Sequence, residues 1–164
     1  SVALEIANHK SKLFFRYESG FLTIQLPSGR KLFYVKPRIE NEDLVRENSK
    51  TGARYIVASV GSLTYEGQDQ KTKQWTRLAT YGGKLVENIT QAIARDCLRE
   101  SMLALDEAGH EQLFTVHDEI IIETTNTIDL ATAEAIMGRD LRWAPGLPLR
   151  ADGFATPYYM KEID

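Results

Sequence analysis

Apolar and polar positions along the chain fall into stretches of different period, and each period implies an element. Val2 to Arg16 mixes apolar and basic residues in a way that suggests a helix, with Gly20 behind it as a stop signal. From Phe21 the run Phe21-Leu22-Thr23-Ile24-Gln25-Leu26 is apolar, β-branched and aromatic. It meets the turn Pro27-Ser28-Gly29, and Leu32-Phe33-Tyr34-Val35 follows, which predicts a hairpin. Residues 38–53 are polar and charged without periodicity and read as a loop. Tyr55 to Val60, Ser62 to Tyr65 and Lys73 to Leu78 read as short strands or connectors, the last set off by the polar stretch Gly67 to Thr72.

The longest regular stretch begins near Lys84. At about 100° per residue, Leu85, Val86, Ile89, Ile93 and Cys97 gather on one side of a helix running to about Ala108, where Gly109 closes it. On the same wheel Lys84, Asn88, Gln91 and Arg95 fall within an arc of about 60°, nearly opposite the apolar group. Leu113 to Val116 and Ile120 to Glu123 flank His117-Asp118-Glu119 and predict two strands joined by a tight turn. Asp129 to Leu141 predicts a last helix, and Leu147 to Phe154 a terminal strand or extended tail. An amphipathic helix beside doubly apolar strands implies an α+β unit, with the helix packed across an antiparallel sheet that contains the 113–123 hairpin. No internal repeat or low-complexity stretch is visible.

Composition narrows the class. A chain of 164 residues allows one compact unit, and 43% hydrophobic with 26% charged residues excludes disordered, collagen-like and disulfide-dense classes. No apolar run exceeds four residues, against the roughly 18 needed to cross a bilayer. The first twelve residues show no secretory-signal pattern, and the lone Cys97 cannot form an internal disulfide, which fits a reducing compartment. A soluble protein with no membrane partner is expected. The formal net charge of −3 conceals an asymmetry. Residues 1–84 carry 14 Lys and Arg against 8 Asp and Glu, while residues 85–164 carry 6 against 15. One surface is thereby suited to a polyanion and another to metal ions, unless the asymmetry is ordinary surface charge.

Candidate chemistry centres on Asp118. If the strands around it are buried on both faces, adjacent Asp118 and Glu119 are desolvated and repel each other, and a divalent cation is the simplest compensation. Oxygen ligands with few histidines suit Mg²⁺ or Mn²⁺. Consecutive strand residues point to opposite faces, so the two carboxylates need not share an ion. The plainer alternative makes His117 and Asp118 exposed turn residues. His9, His110 and His117 lack the ligand spacing of a zinc site, and no P-loop or dinucleotide glycine pattern occurs. Gly82-Gly83 is only a pair at a helix start, and Cys97 on the apolar side of its helix reads as a buried, inert thiol. The row Lys84, Asn88, Gln91 and Arg95 suits phosphates and minor-groove acceptors, or is simply a solvated helix face.

Several segments resemble the family A DNA polymerases, the DNA polymerase I type, and more closely their bacteriophage and prophage members. Thr80-Tyr81-Gly82-Gly83-Lys84-Leu85-Val86-Glu87-Asn88-Ile89-Thr90-Gln91-Ala92-Ile93-Ala94-Arg95-Asp96 resembles the helix before the family's motif C, and Val116-His117-Asp118-Glu119 resembles motif C itself. Leu26-Pro27-Ser28-Gly29-Arg30-Lys31-Leu32-Phe33-Tyr34 is similar to the hairpin between the fingers and that helix, and Leu147 to Tyr159 resembles the phage members' C-terminus. The resemblance implies that Asp118 binds the catalytic metals, that Glu119 is its acidic neighbour, that His117 lies near the primer terminus and that Gln91 faces the DNA. In the family pattern an arginine and an asparagine stand eight and four residues before that glutamine. Here those places hold Gly83 and Glu87, with Lys84 and Asn88 one position later.

The resemblance covers only the last part of a polymerase domain. It implies an antiparallel palm-type sheet with the motif C hairpin and packed helices, divided into an end-of-fingers and palm-hairpin region (1–79) and a C-terminal palm portion (80–164). Motif A, with the partner aspartate, and motif B, whose basic residue grips the incoming triphosphate, are expected on an upstream segment. A truncated form, a split gene product and a degenerate prophage remnant all fit. The expected function is two-metal nucleotidyl transfer in DNA replication, with primer-template DNA and deoxynucleoside triphosphates as partners, in the cytoplasm of a bacterial host. The isolated chain is expected to be inactive, and to self-associate through apolar surface left uncovered. The competing readings are a non-catalytic nucleic-acid-binding module in which Asp118 is vestigial, and a structural piece that assembles with another polypeptide.

Overall fold

Phe21 to Gln25 forms a strand between two tight turns, and the meander around it organises the first half of the protein. The computed structural model describes residues 2–5, 12–124 and 130–160. In chain order the strands are β1 (Val2–Glu5), β2 (Lys12–Glu18), β3 (Phe21–Gln25), β4 (Lys31–Glu47), β5 (Arg54–Gln68) and β6 (Trp75–Thr80). Helix α1 (Gly82–Glu107) follows, then β7 (Gln112–Val116), β8 (Glu119–Ile122) and α2 (Leu130–Met137). The fold is α+β, with antiparallel pairing in both sheets. The described residues divide into two compact units, one ending at Thr90 and the other beginning at Gln91, so α1 contributes to both.

The first unit is a six-stranded sheet in sequential order, β1 to β6. The helix expected over Val2 to Arg16 is not present in its described part; β1 and β2 occupy it and pair from Val2↔Phe15 to Glu5↔Lys12. Gly20 explains the difference. Its φ of +80°, with +51° at Ser19, makes the two-residue turn joining β2 to β3. A positive φ serves a type I′ hairpin turn as well as it serves a helix stop, so the glycine alone does not discriminate. The 21–35 hairpin forms as expected, with Leu26 and Gly29 closing its turn through Gly29 N–H to Leu26 O at 2.9 Å. Leu13, Ile24, Leu26 and Tyr34 are buried in this unit.

Residues 38–53, expected as a loop, are mostly strand. Arg38 to Glu47 pairs with Arg54 to Thr64, and the separate short strands expected between Tyr55 and Tyr65 are one continuous β5. The part beyond Ser62 towards the turn is two-stranded, and most of its described side chains are exposed. Strands wetted on both faces need no apolar alternation, which is why their sequence carries none.

In the second unit α1 ends at Gly109, whose φ is +83°. Gly109 N–H donates to Asp106 O and His110 N–H to Leu105 O, both at 2.9 Å, the paired bonds of a Schellman stop. Leu98, Ser101, Ala104, Leu105 and Leu141 are buried, while Ser101 Oγ donates to Cys97 O at 3.3 Å and lies 3.5 Å from Met137 O. Gln112 ties the hairpin to the helix by donating from Nε2 to Met102 O at 2.7 Å. The final helix is shorter than expected, Asp129 lies outside the described residues, and 147–154 has no strand pairing. Among the described residues no helix is long and apolar enough to cross a membrane.

The β7–β8 hairpin is not buried on both faces. Leu113 is 49% and Phe114 45% exposed, because these strands form a two-stranded sheet of their own with no further strand beside them among the described residues. Phe114 meets Tyr159 edge to face at 5.4 Å, yet Tyr159 is itself half exposed.

Candidate functional site

The hairpin tip is built by one cross-strand pair. Val116 opposes Glu119, which leaves His117 and Asp118 as a two-residue turn. His117 has φ +54° and Asp118 does not share the positive sign. That combination belongs to turns that prefer glycine first, so a side chain there carries about 1 kcal/mol of backbone strain. His117, Asp118 and Glu119 are all exposed. The burial from which a cation was expected is not observed, since the flanking strands do not enclose the turn. Among the described residues no three His, Cys, Asp or Glu side chains gather as a metal site. Asp118 and Glu119 supply at most part of one. Mg²⁺ commonly takes one or two protein carboxylates and completes its shell with water and phosphate oxygens, so these residues fit a partial ligand set.

The second group lies on α1. Lys84, Gln91 and Arg95 are exposed along one line of the helix, as the wheel predicts. Lys84 Nζ donates to both carboxylate oxygens of Glu87, at 3.1 and 3.0 Å. This bond holds the ammonium pKa above its ordinary value, with the charge of Glu87 adding to it. Asn88 differs from its neighbours: half-buried, it donates from Nδ2 to the Tyr34 hydroxyl at 3.1 Å. Tyr34 is 5% exposed and packs edge to face on Tyr65 at 5.0 Å. Burial pushes the Tyr65 hydroxyl up, and Tyr34 adds to the shift. Nothing in the apolar run Leu32 to Val35 marks Tyr34 as the partner of a helix residue, so sequence reasoning passes it over.

At the start of α1, Tyr81 O accepts from Leu85 N–H at 3.0 Å. A shallow pocket of about 340 Å³ lies here in the first unit, lined by Ile39, Leu63, Thr80, Tyr81 and Leu85 among others. Thr80 is 3% exposed, and its hydroxyl has no hydrogen-bond partner among the described residues. Elsewhere on the helix, burial pushes the Cys97 thiol up, with Asp96 adding to it, which keeps the thiol protonated and unreactive.

No protein-family model matches the chain, and no solved structure matches it significantly. It is similar to the DNA polymerase of Bacillus phage SP02, with 48% identity over 151 residues. The match takes in 92% of this chain and 21% of that polymerase, so the chain spans about a fifth of the length of the relative it matches.

Proposed function

We propose that this chain is the C-terminal palm portion of a family A, template-directed DNA polymerase, encoded by a phage or prophage and working in the bacterial cytoplasm. The similarity to a phage DNA polymerase along 92% of the chain carries this reading. The strained turn supports it, because left-handed backbone at a non-glycine residue tends to be kept where it positions a functional group.

In this reading Asp118 is one ligand of Mg²⁺ or Mn²⁺, with Glu119 beside it, and His117 holds the primer end. Bound there, the ions would neutralise charge on the primer hydroxyl and the triphosphate. Lys84, Gln91 and Arg95 follow the duplex from one helix face. Asn88 anchors the start of that face to Tyr34 and reaches DNA only by giving up its bond. The partner aspartate of motif A and the triphosphate clamp of motif B belong to a segment upstream of this chain. Without them the ligand set is incomplete, and the chain alone does not extend a primer.

Primer extension tests the reading. The chain replaces the matching segment of the SP02 polymerase, and the chimera is compared with the isolated chain. The chimera should extend; the isolated chain should not. Asp118→Ala in the chimera should lower turnover roughly a thousandfold while leaving primer-template affinity nearly unchanged. Extension by the isolated chain would refute its predicted inactivity, and full activity of the variant would remove Asp118 as a metal ligand. One second reading is a nucleic-acid-binding module without catalysis, resting on the exposed row Lys84, Gln91 and Arg95. That reading predicts a chimera that binds primer-template and never extends it.

A further inference from the structure

We propose that the far end of the β4–β5 ribbon is a second contact for duplex DNA, gripping backbone phosphates remote from the primer terminus; the proposal rests on the polymerase reading above. The ribbon is an arm. Pairing of β3 with β4 stops at Val35, and pairing of β6 with β5 starts at Leu63, so Glu40 to Glu47 and Arg54 to Ser62 pair only with each other. Seven residue steps at roughly 3.3 Å give a reach of about 23 Å, some seven base pairs of B-form DNA. Its base is fixed beside α1, where Ile39 and Leu63 share a pocket with Tyr81 and Leu85.

The arm ends in an ordered turn. Asn48 Oδ1 accepts from Lys50 N–H at 2.9 Å and from Thr51 N–H at 3.3 Å, while Asn48 N–H donates to Ala53 O at 2.9 Å. Charge is segregated along it. Residues 38–45 hold Arg38 against Glu40, Glu42 and Asp43, and residues 55–62 hold no charge. The end, residues 46–54, holds Arg46, Lys50 and Arg54 against Glu47. Glu47 is engaged by Arg54 at 3.4 Å, whereas Arg46 and Lys50 are exposed and form no ion pair among the described residues. The shaft therefore repels a polyanion and the end attracts one, which confines the contact to the end. A two-stranded ribbon also has the width that a DNA groove admits.

Anisotropy titrations of the chain with labelled primer-templates of about 8 and about 24 base pairs test the proposal across a salt series. The longer duplex should bind about tenfold more tightly, with a salt slope steeper by about two. Arg46→Ala with Lys50→Ala should abolish that length effect and leave affinity for the short duplex unchanged, whereas Arg46→Lys with Lys50→Arg should preserve it. Thermal melts of both double variants should match the parent, since every substituted side chain is exposed. A length effect that survives the alanine variant overturns the arm contact while leaving the polymerase reading intact. Failure of the parent chain to bind either duplex overturns both.

Discussion

Asn88 and Tyr34, 54 residues apart in sequence, are joined by a 3.1 Å hydrogen bond from the asparagine amide to the phenol oxygen. The bond fastens the first turns of α1 to the sheet of the first unit through a side chain that the helical wheel assigns to the solvent face. Asn88→Ala and Tyr34→Phe should each cost about 1 kcal/mol, and the double variant should cost less than the sum, with a coupling of about 1 kcal/mol. Urea denaturation of the four proteins measures this; strict additivity would mean that the bond contributes nothing.

The turn at His117 yields a second expectation. Alanine at φ +54° keeps the strain that histidine bears there, whereas glycine relieves it. His117→Gly should be more stable than His117→Ala by about 1 kcal/mol in urea. In the active chimera both variants should be less active than the parent if the imidazole meets the primer end.

Thr80 offers a test of an unsatisfied group. A buried hydroxyl without a partner destabilises the folded state, and valine has nearly the same shape without the polar atom. Thr80→Val should raise stability by about 1 kcal/mol, and Thr80→Ser, which keeps the hydroxyl and loses a methyl, should lower it. A loss of stability in Thr80→Val would show that the hydroxyl is satisfied in solution.

The acid limb of stability is set partly by Glu66. Lys36 Nζ donates to its carboxylate at 2.9 Å and Arg77 Nη2 to its other oxygen at 3.3 Å. The Lys36 bond above all holds the Glu66 pKa below its ordinary value. A depressed folded pKa gives stability that is present above the unfolded pKa and lost as pH falls through the folded one. Acid titration should therefore destabilise the parent from the ordinary glutamate range downward, and Glu66→Gln should flatten that part of the curve. Added salt should shrink the difference between the two, because the Lys36 end of the pair is open to solvent.

Short-range signals in the sequence determined the 21–35 hairpin, the long helix and the hairpin around Asp118. A β-branched run meeting Pro27-Ser28-Gly29, an apolar repeat closed by Gly109, and paired apolar runs around His117-Asp118 are local patterns with local causes. The same sequence also supplied the order of segments in which Asp118, Gln91 and their neighbours were singled out. Tertiary structure decided the rest. Whether Val2 to Arg16 coils or extends depends on pairing with β3, because Gly20 satisfies either outcome. The β4 side of the ribbon was invisible because a strand wetted on both faces carries no hydrophobic period. The exposure of the Asp118 turn depends on how many strands lie beside the hairpin. The bond that occupies Asn88 depends on a tyrosine 54 residues away. Such outcomes turn on contacts between distant segments, and a local pattern cannot encode a partner it does not contain.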